Sequence, residues 1–138
     1  MRIKLTKKKL YTHLILGLVW SGFGVIYILL NDENVNWLGI GFIAIGLFDI
    51  LHYVYDSKHQ YLLIENGVIR KNILYGFKNK IDIDDIHQIK SEGGNYILKS
   101  DLNTFKIDPG LIEKNSLEDL NKFLKDLDLP SDKNFLAS

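Results

Sequence analysis

The stretch LYTHLILGLVWSGFGVIYILL, residues 10–30, contains 21 residues and no Asp, Glu, Lys or Arg. As an α-helix rising about 1.5 Å per residue it spans roughly 30 Å, the thickness of the hydrocarbon core of a bilayer. A second apolar stretch, residues 37–55, is interrupted only by Asp49 and His52, and the short segment NDENVN joins the two. Buried helices of a soluble core are the alternative, but neither stretch has a polar face to offer water. The sequence therefore predicts an antiparallel hairpin of two transmembrane helices.

Charge is distributed unevenly along the chain, although the formal net charge is zero. Residues 1–9 carry five basic side chains and no acid, whereas the chain from residue 56 onward mixes 14 acids with 12 bases. Such a shift in composition marks a boundary between segments. We predict a basic cytoplasmic N-terminus (1–9), the transmembrane hairpin (10–55, with spans 10–30 and 37–55), a cytoplasmic domain (56–130) and a frayed tail (131–138).

Basic residues also predict the orientation in the membrane. They flank the start of the first span and follow the second, and none lies in the connecting segment, residues 31–36. Because basic loops stay in the cytoplasm, both termini are expected there, with the connecting segment outside and the protein in the inner (plasma) membrane as a multi-pass protein. The first span is longer than the apolar region of a typical signal peptide and lacks a following cleavage site, so it is predicted to be a retained anchor.

Small residues recur at helical spacing in both spans. Because small side chains allow helix backbones to approach closely in lipid, the two stripes are predicted to face each other. The predicted packing residues are Gly17, Ser21, Gly24, Gly39 and Gly46.

Polar side chains in the spans predict an intramembrane polar cluster of His13, Asp49, His52 and Tyr53. A carboxylate at mid-membrane costs about 2.5–3.5 kcal/mol on insertion scales, so Asp49 is expected to turn toward the first helix. Its expected hydrogen-bond donors are His13, Ser21 and Trp20. The cluster is interpreted either as a site sensitive to protons or ions, or as structural hydrogen bonding between the helices.

The pattern of residues 59–127 changes to that of a small β-rich domain. Asn66 and Gly67 separate two β-rich runs and predict a hairpin with a type I′ turn. Ile81, Ile83, Ile86 and Ile89 alternate with one slip, which indicates a bulge or a short turn. Residues 92–95 predict a second turn. The helical spacing of residues 117–127 and a capping box at Ser116 predict a C-terminal amphipathic helix. The predicted fold class is thus a membrane α-helical hairpin plus an α+β domain of about five antiparallel strands closed by that helix.

Three segments of this domain, YLLIENGVIRKN, KIDIDDIHQIK and SLEDLNKFLKDL, resemble the small bacterial pleckstrin-homology-like (PH-like) domains that often follow transmembrane helices. The resemblance covers roughly half of the chain. It implies a half-barrel, with seven strands in the full fold, closed by a helix. In such domains the region after the second strand can meet anionic lipid head groups. The residues that the resemblance assigns to this contact are Arg70, Lys71, Lys78 and Lys80.

No residue pattern predicts chemistry. There is no cysteine, and none of the four histidines follows another at the spacing of a metal-binding motif. Asp82, Asp84 and Asp85 do not follow the calcium-loop pattern. We therefore predict no catalytic residue, no cofactor and no metal ligand, and a protein that is not an enzyme.

The predicted function is that of a non-enzymatic integral membrane protein with a membrane-tethered interaction or regulatory module. Its expected partners are the lipid bilayer, anionic head groups, and another membrane protein or a second copy of itself, but no nucleic acid. An immunity or protective protein that binds a membrane-active toxin is one alternative. An accessory subunit of a transporter or channel is another, and it rests on Asp49 and His13.

Overall fold

In the computed structural model, residues 1–31 and 36–137 are described, and they form two compact units. The helical unit is Lys7–Lys58, and the β unit combines Met1–Thr6 with His59–Ser138. Most of the predicted external segment, residues 32–35, lies outside the described residues.

Two helices make up the helical unit: α1 spans Lys7–Leu30 and α2 spans Trp37–His59. Asn31 ends α1, where its side-chain amide donates to the Tyr27 carbonyl oxygen at 2.8 Å. Asn36 caps the start of α2, where its side-chain oxygen accepts from the Gly39 N–H at 3.1 Å. Both helices are long and apolar enough to cross a membrane, and only 11% of the apolar window of each is buried. Helices in the core of a soluble protein would be mostly buried, so this finding disfavours that alternative.

Opposed glycines bring α1 and α2 together. A Cβ atom built on Gly17 would lie 2.8 Å from the Gly46 carbonyl oxygen, and one on Gly24 would lie 2.7 Å from that of Gly39. No side chain larger than hydrogen fits at either crossing without moving the backbones apart. The predicted small-residue stripes therefore lie at the α1–α2 contact.

The β unit contains, among the described residues, seven strands in two antiparallel sheets. The first sheet has the order β1 (Arg2–Ile3), β2 (Leu62–Glu65), β3 (Val68–Lys71), β4 (Lys80–Asp82). The second has the order β5 (Gln88–Glu92), β6 (Asn95–Lys99), β7 (Thr104–Ile107).

Turn residues connect these strands as the sequence predicts. Asn66 and Gly67, with φ of 53° and 74°, form the tight turn between β2 and β3, which confirms the predicted hairpin. Gly93 and Gly94, with φ of 60° and 82°, turn the chain between β5 and β6. The slip in the isoleucine pattern is a 3₁₀ turn, Ile83–Asp85, after which the chain passes from the first sheet to the second.

The prediction of about five strands is therefore wrong in number. The isoleucine-rich run splits into β4 and β5, and β1 lies before α1, within the segment predicted to be only a basic N-terminus. In β1, Arg2 pairs with Leu63 and Ile3 pairs with Leu62, so strands from either end of the helical hairpin form one sheet.

The C-terminal helix α3, Lys114–Lys125, begins three residues earlier than the predicted capping box at Ser116 requires. Ser116 is therefore not a cap. It is buried inside the first turn of α3, where its hydroxyl accepts from the Lys4 N–H at 3.1 Å. Leu120 and Leu124 of the predicted apolar stripe are fully buried in the core of the β unit.

The segment after α3 is packed rather than frayed. Asn134 is 1% exposed and its amide donates to the Leu124 carbonyl oxygen at 2.8 Å. Phe135 donates its N–H to the Ile89 carbonyl oxygen in β5 and packs edge-on against the Tyr96 ring. One buried asparagine thus fixes residues 131–137 to both α3 and the second sheet.

We expect Gly24→Leu to destabilise the helical unit by about 1–3 kcal/mol, because the new side chain must push the two backbones apart. Gly22→Leu is the matched control, since a Cβ there meets nothing within 4 Å. Thermal unfolding in mild detergent, followed by helical circular dichroism, measures the difference. Equal midpoints for the two variants would contradict the close α1–α2 contact.

We expect Ile3→Ala to lower the stability of the β unit by about 2–5 kcal/mol, because Ile3 is 0% exposed and a cavity would remain. Arg2→Ala, at the exposed neighbouring position of β1, should change it by less than about 0.5 kcal/mol. Urea-dependent hydrogen exchange at the amides of β2, measured on the full chain, reports the effect. If residues 1–6 were an unstructured leader, both variants would behave like the unmodified chain.

Candidate functional site

Two histidine–aspartate pairs lie on facing sides of α1 and α2 and form what we call the His–Asp cluster: His13, Asp49, His52 and Asp56. His13 Nδ1 stands 3.3 Å from Asp49 Oδ1, which joins α1 to α2. His52 Nε2 stands 3.0 Å from Asp56 Oδ2, one helical turn further along α2. The imidazole rings of His13 and His52 stack at 3.8 Å between centroids with an interplanar angle of 14°.

The cluster lies at the ends of the helices that join the β unit, because His13 is less than two turns from the start of α1 and His52 is about two turns from the end of α2. The side chains of His13, Asp49 and His52 are 19%, 24% and 28% exposed, whereas that of Asp56 is 0% exposed. The four groups therefore form a half-buried polar site within otherwise apolar helices.

The three residues predicted to donate hydrogen bonds to Asp49 have different surroundings in the structure. His13 is its partner, as predicted. Ser21 Oγ has no hydrogen-bond partner within the described part of the chain and lies against Gly46. The Trp20 ring packs at a tilt on Phe42, with centroids 5.6 Å apart.

Tyr53 lies beside the cluster and stacks on Tyr11, with ring centroids 6.0 Å apart. Asp56 was not predicted as a site residue. Its position four residues after His52, the spacing of neighbours on one helix face, is the signal that could have identified it. His52 pairs with Asp56 rather than with Asp49.

The basic residues assigned to head groups differ in their surroundings. Arg70, Lys78 and Lys80 are exposed, but Lys71 is 9% exposed and its ammonium group donates to the Lys106 carbonyl oxygen at 2.5 Å. Burial lowers the pKa of Lys71, and the charge of Lys106 lowers it further. Lys71 Nζ also lies 4.9 Å from the centre of the Phe105 ring, so this lysine serves the interior of the β unit.

Apolar side chains project from the segment between β3 and β4, and we call residues 73–80, which end with the first residue of β4, the 73–80 loop. Ile73, Leu74 and Phe77 are 62%, 47% and 107% exposed, and Lys78 and Lys80 follow them. The loop is held at its base by Asn72, whose side-chain oxygen accepts from the Leu74 N–H at 3.0 Å. The sequence analysis predicted a head-group contact for the two lysines but did not identify the exposed apolar side chains beside them.

A tyrosine near the base of this loop is fixed in the unit. The Tyr61 hydroxyl accepts a hydrogen bond from the Asp108 N–H at 2.9 Å, and its ring packs edge-on against Tyr75. Burial raises the pKa of Tyr61. The loop therefore starts from a rigid base.

Comparison with protein-family models, with curated proteins and with solved structures finds no match to this chain.

Proposed function

We propose that this chain is a non-enzymatic integral membrane protein in which α1 and α2 cross the bilayer and tether a PH-like interaction module to its cytoplasmic face. The observation that carries the proposal is the exposure of apolar side chains all along both helices. Leu18, Phe23, Leu30, Trp37 and Phe48 are each more than half exposed. Complete transfer of such a side chain out of water is favourable by about 1.5–3 kcal/mol, and the exposed part of each one still has its share to gain, so lipid is the solvent that suits these helices.

The connectivity of the β unit supports placing both ends of the helical hairpin on the same side of the membrane. Because β1 precedes α1 and pairs with β2 after α2, the chain must return to the side from which it entered the membrane. The five basic residues before residue 10 favour the cytoplasm as that side.

The PH-like assignment is supported by the element count. Seven strands followed by one closing helix are what the resemblance implies, and both the first hairpin and the helix occupy the segments that carry it. The helical hairpin is then an insertion between the first and second strands. We infer the contacts of this domain with lipid from the exposed apolar and basic side chains on its surface.

The 73–80 loop is the part of the β unit best suited to a membrane surface. Exposed apolar side chains can enter the interfacial region while adjacent lysines meet anionic head groups, each contributing about 1 kcal/mol. Lys78, Lys80 and Arg70 supply the exposed charges. Lys71 is assigned to the interior of the unit instead.

Any partner within the bilayer meets the outer faces of the helices. Gly17, Gly24, Gly39 and Gly46 are used inside the hairpin, so self-association or binding of another membrane protein involves other residues. Gly22 and Gly41 have open space around them and belong to such faces.

Single-cysteine labelling tests the topology, and the chain has no cysteine to remove first. Asn34→Cys, in the connecting segment, should react with a membrane-impermeant maleimide in intact cells. Glu118→Cys, at an exposed position of α3, should react only after permeabilisation. The protein should also stay in the membrane pellet at alkaline pH. Release into the supernatant, or labelling of Glu118→Cys in intact cells, would overturn the proposal in whole or in its sidedness.

The lipid contact of the 73–80 loop is tested on the full chain in vesicles, because a fragment from residue 57 onward would lack β1. Phe77→Cys carrying an environment-sensitive fluorophore should shift its emission to the blue in vesicles with anionic lipid relative to zwitterionic ones. Lys78→Gln should reduce the shift, since one basic residue is worth about 1 kcal/mol, or roughly fivefold in association. Emission that is indifferent to lipid charge and to salt would exclude the head-group contact.

A further inference from the structure

We propose that His13, His52 and Asp56 form a binding site for a Zn²⁺ ion between α1 and α2, with Asp49 as the residue that positions His13. The site goes beyond the proposed function, which assigns the cluster no ligand. It joins one ligand from α1 to two from α2.

The three groups already stand at distances that a zinc ion can close. One ligand atom from each of His13, His52 and Asp56 lies within 4.8 Å of the others. With metal–ligand distances of about 2.0–2.2 Å, neighbouring ligands on a tetrahedral zinc stand roughly 3.3 Å apart. His52 Nε2 and Asp56 Oδ2, at 3.0 Å, are near that spacing, and His13 would have to approach them by no more than roughly 1.5 Å when an ion binds.

The hydrogen bonding favours a cation over a plain ion pair. His52 Nε2 is buried and makes no hydrogen bond with the described residues, although Asp56 Oδ2 is close, because the two are not aligned for one. A nitrogen and a carboxylate oxygen placed side by side in this way can share one metal ion. Their convergence on a fully buried carboxylate places the ion inside the helical unit.

Asp49 positions His13 without itself binding the ion. Its Oδ1 atom lies 3.3 Å from His13 Nδ1, which leaves His13 Nε2 for the metal. Metal-binding histidines commonly donate their other ring N–H to a carboxylate, which fixes the tautomer and the ring orientation.

The donor set selects the kind of ion. Imidazole nitrogens with one carboxylate suit zinc, whereas Mg²⁺ and Ca²⁺ prefer sites made of oxygen atoms alone.

Zinc titration of the full chain in mild detergent tests the inference. The protein is purified with a tag that contains no histidine, stripped with chelator and titrated with Zn²⁺ or Mg²⁺ by calorimetry. We expect one Zn²⁺ per chain at micromolar or tighter affinity, a higher midpoint of thermal unfolding with Zn²⁺, and no response to Mg²⁺. An unmodified chain that binds no Zn²⁺ at tens of micromolar overturns the proposal without any variant.

Variants then locate the site. His52→Gln and Asp56→Asn should each weaken Zn²⁺ binding at least tenfold. His59→Gln and His87→Gln are matched controls at exposed positions outside the cluster and should bind as the unmodified chain does. Equal loss in the control variants would assign the zinc to other histidines and overturn the site. Helical circular dichroism of each metal-free variant verifies that the helices are retained.

The positioning role of Asp49 has its own readout. Asp49→Asn should lower zinc affinity about 10- to 100-fold while the stoichiometry stays at one, and Asp49→Glu should restore much of the loss. If Asp49 only stabilised the hairpin, Asp49→Asn would lower the unfolding midpoint without changing zinc affinity, and the positioning assignment would fall.

Discussion

The pairing of β1 with β2 is the contact on which the rest of the structure depends, because its two strands lie on opposite sides of the helical hairpin in sequence. Tyr61 donates its N–H to the Ile3 carbonyl oxygen at 3.1 Å, and Ile64 donates to that of Met1 at 2.7 Å. A two-residue strand pairing that closes a loop of about 60 residues, numbers 4–61, is opposed by a closure entropy of several kcal/mol. The antiparallel packing of α1 and α2 offsets this entropy, since it already returns the chain to its starting point. Sheet and hairpin therefore stabilise each other through chain connectivity alone.

The glycine contacts set how closely the helices approach and therefore what can meet between them. Opposed glycines place the α1 and α2 backbones in direct contact at two levels, Gly17 with Gly46 and Gly24 with Gly39. His13 lies one turn from Gly17 and Asp49 lies three residues from Gly46, so the same helix faces carry both the small residues and the polar ones. Without the close approach, the His13–Asp49 contact would not reach across. The small residues that pack the helices and the polar residues of the His–Asp cluster therefore lie on the same face of each helix.

Local periodicity predicted most of the elements, and contacts distant in sequence account for what it missed. The apolar spans, the Asn66–Gly67 turn and the His13–Asp49 pair could all be read from spacing within one segment or from the alignment of two neighbouring helices. Strand β1 could not, because two residues in a basic stretch carry no period and their partner lies some sixty positions away. Ser116 was interpreted as a local cap, but its hydroxyl serves the backbone of Lys4.

The proposed metal site in the His–Asp cluster was not predicted from the sequence for the same reason. Metal-binding motifs are recognised in sequence when ligands share one helix or one loop, and here only His52 and Asp56 do so, since no two histidines of this chain lie at a motif spacing. His13 and His52 become neighbours only when the hairpin closes, with their rings 3.8 Å apart. Because closure of the hairpin assembles the ligands, an ion bound there would stabilise the antiparallel arrangement that also aligns β1 with β2. Binding of the metal ion would then affect the stability of the β unit through the two chain connections, without any contact between the ion and the sheet.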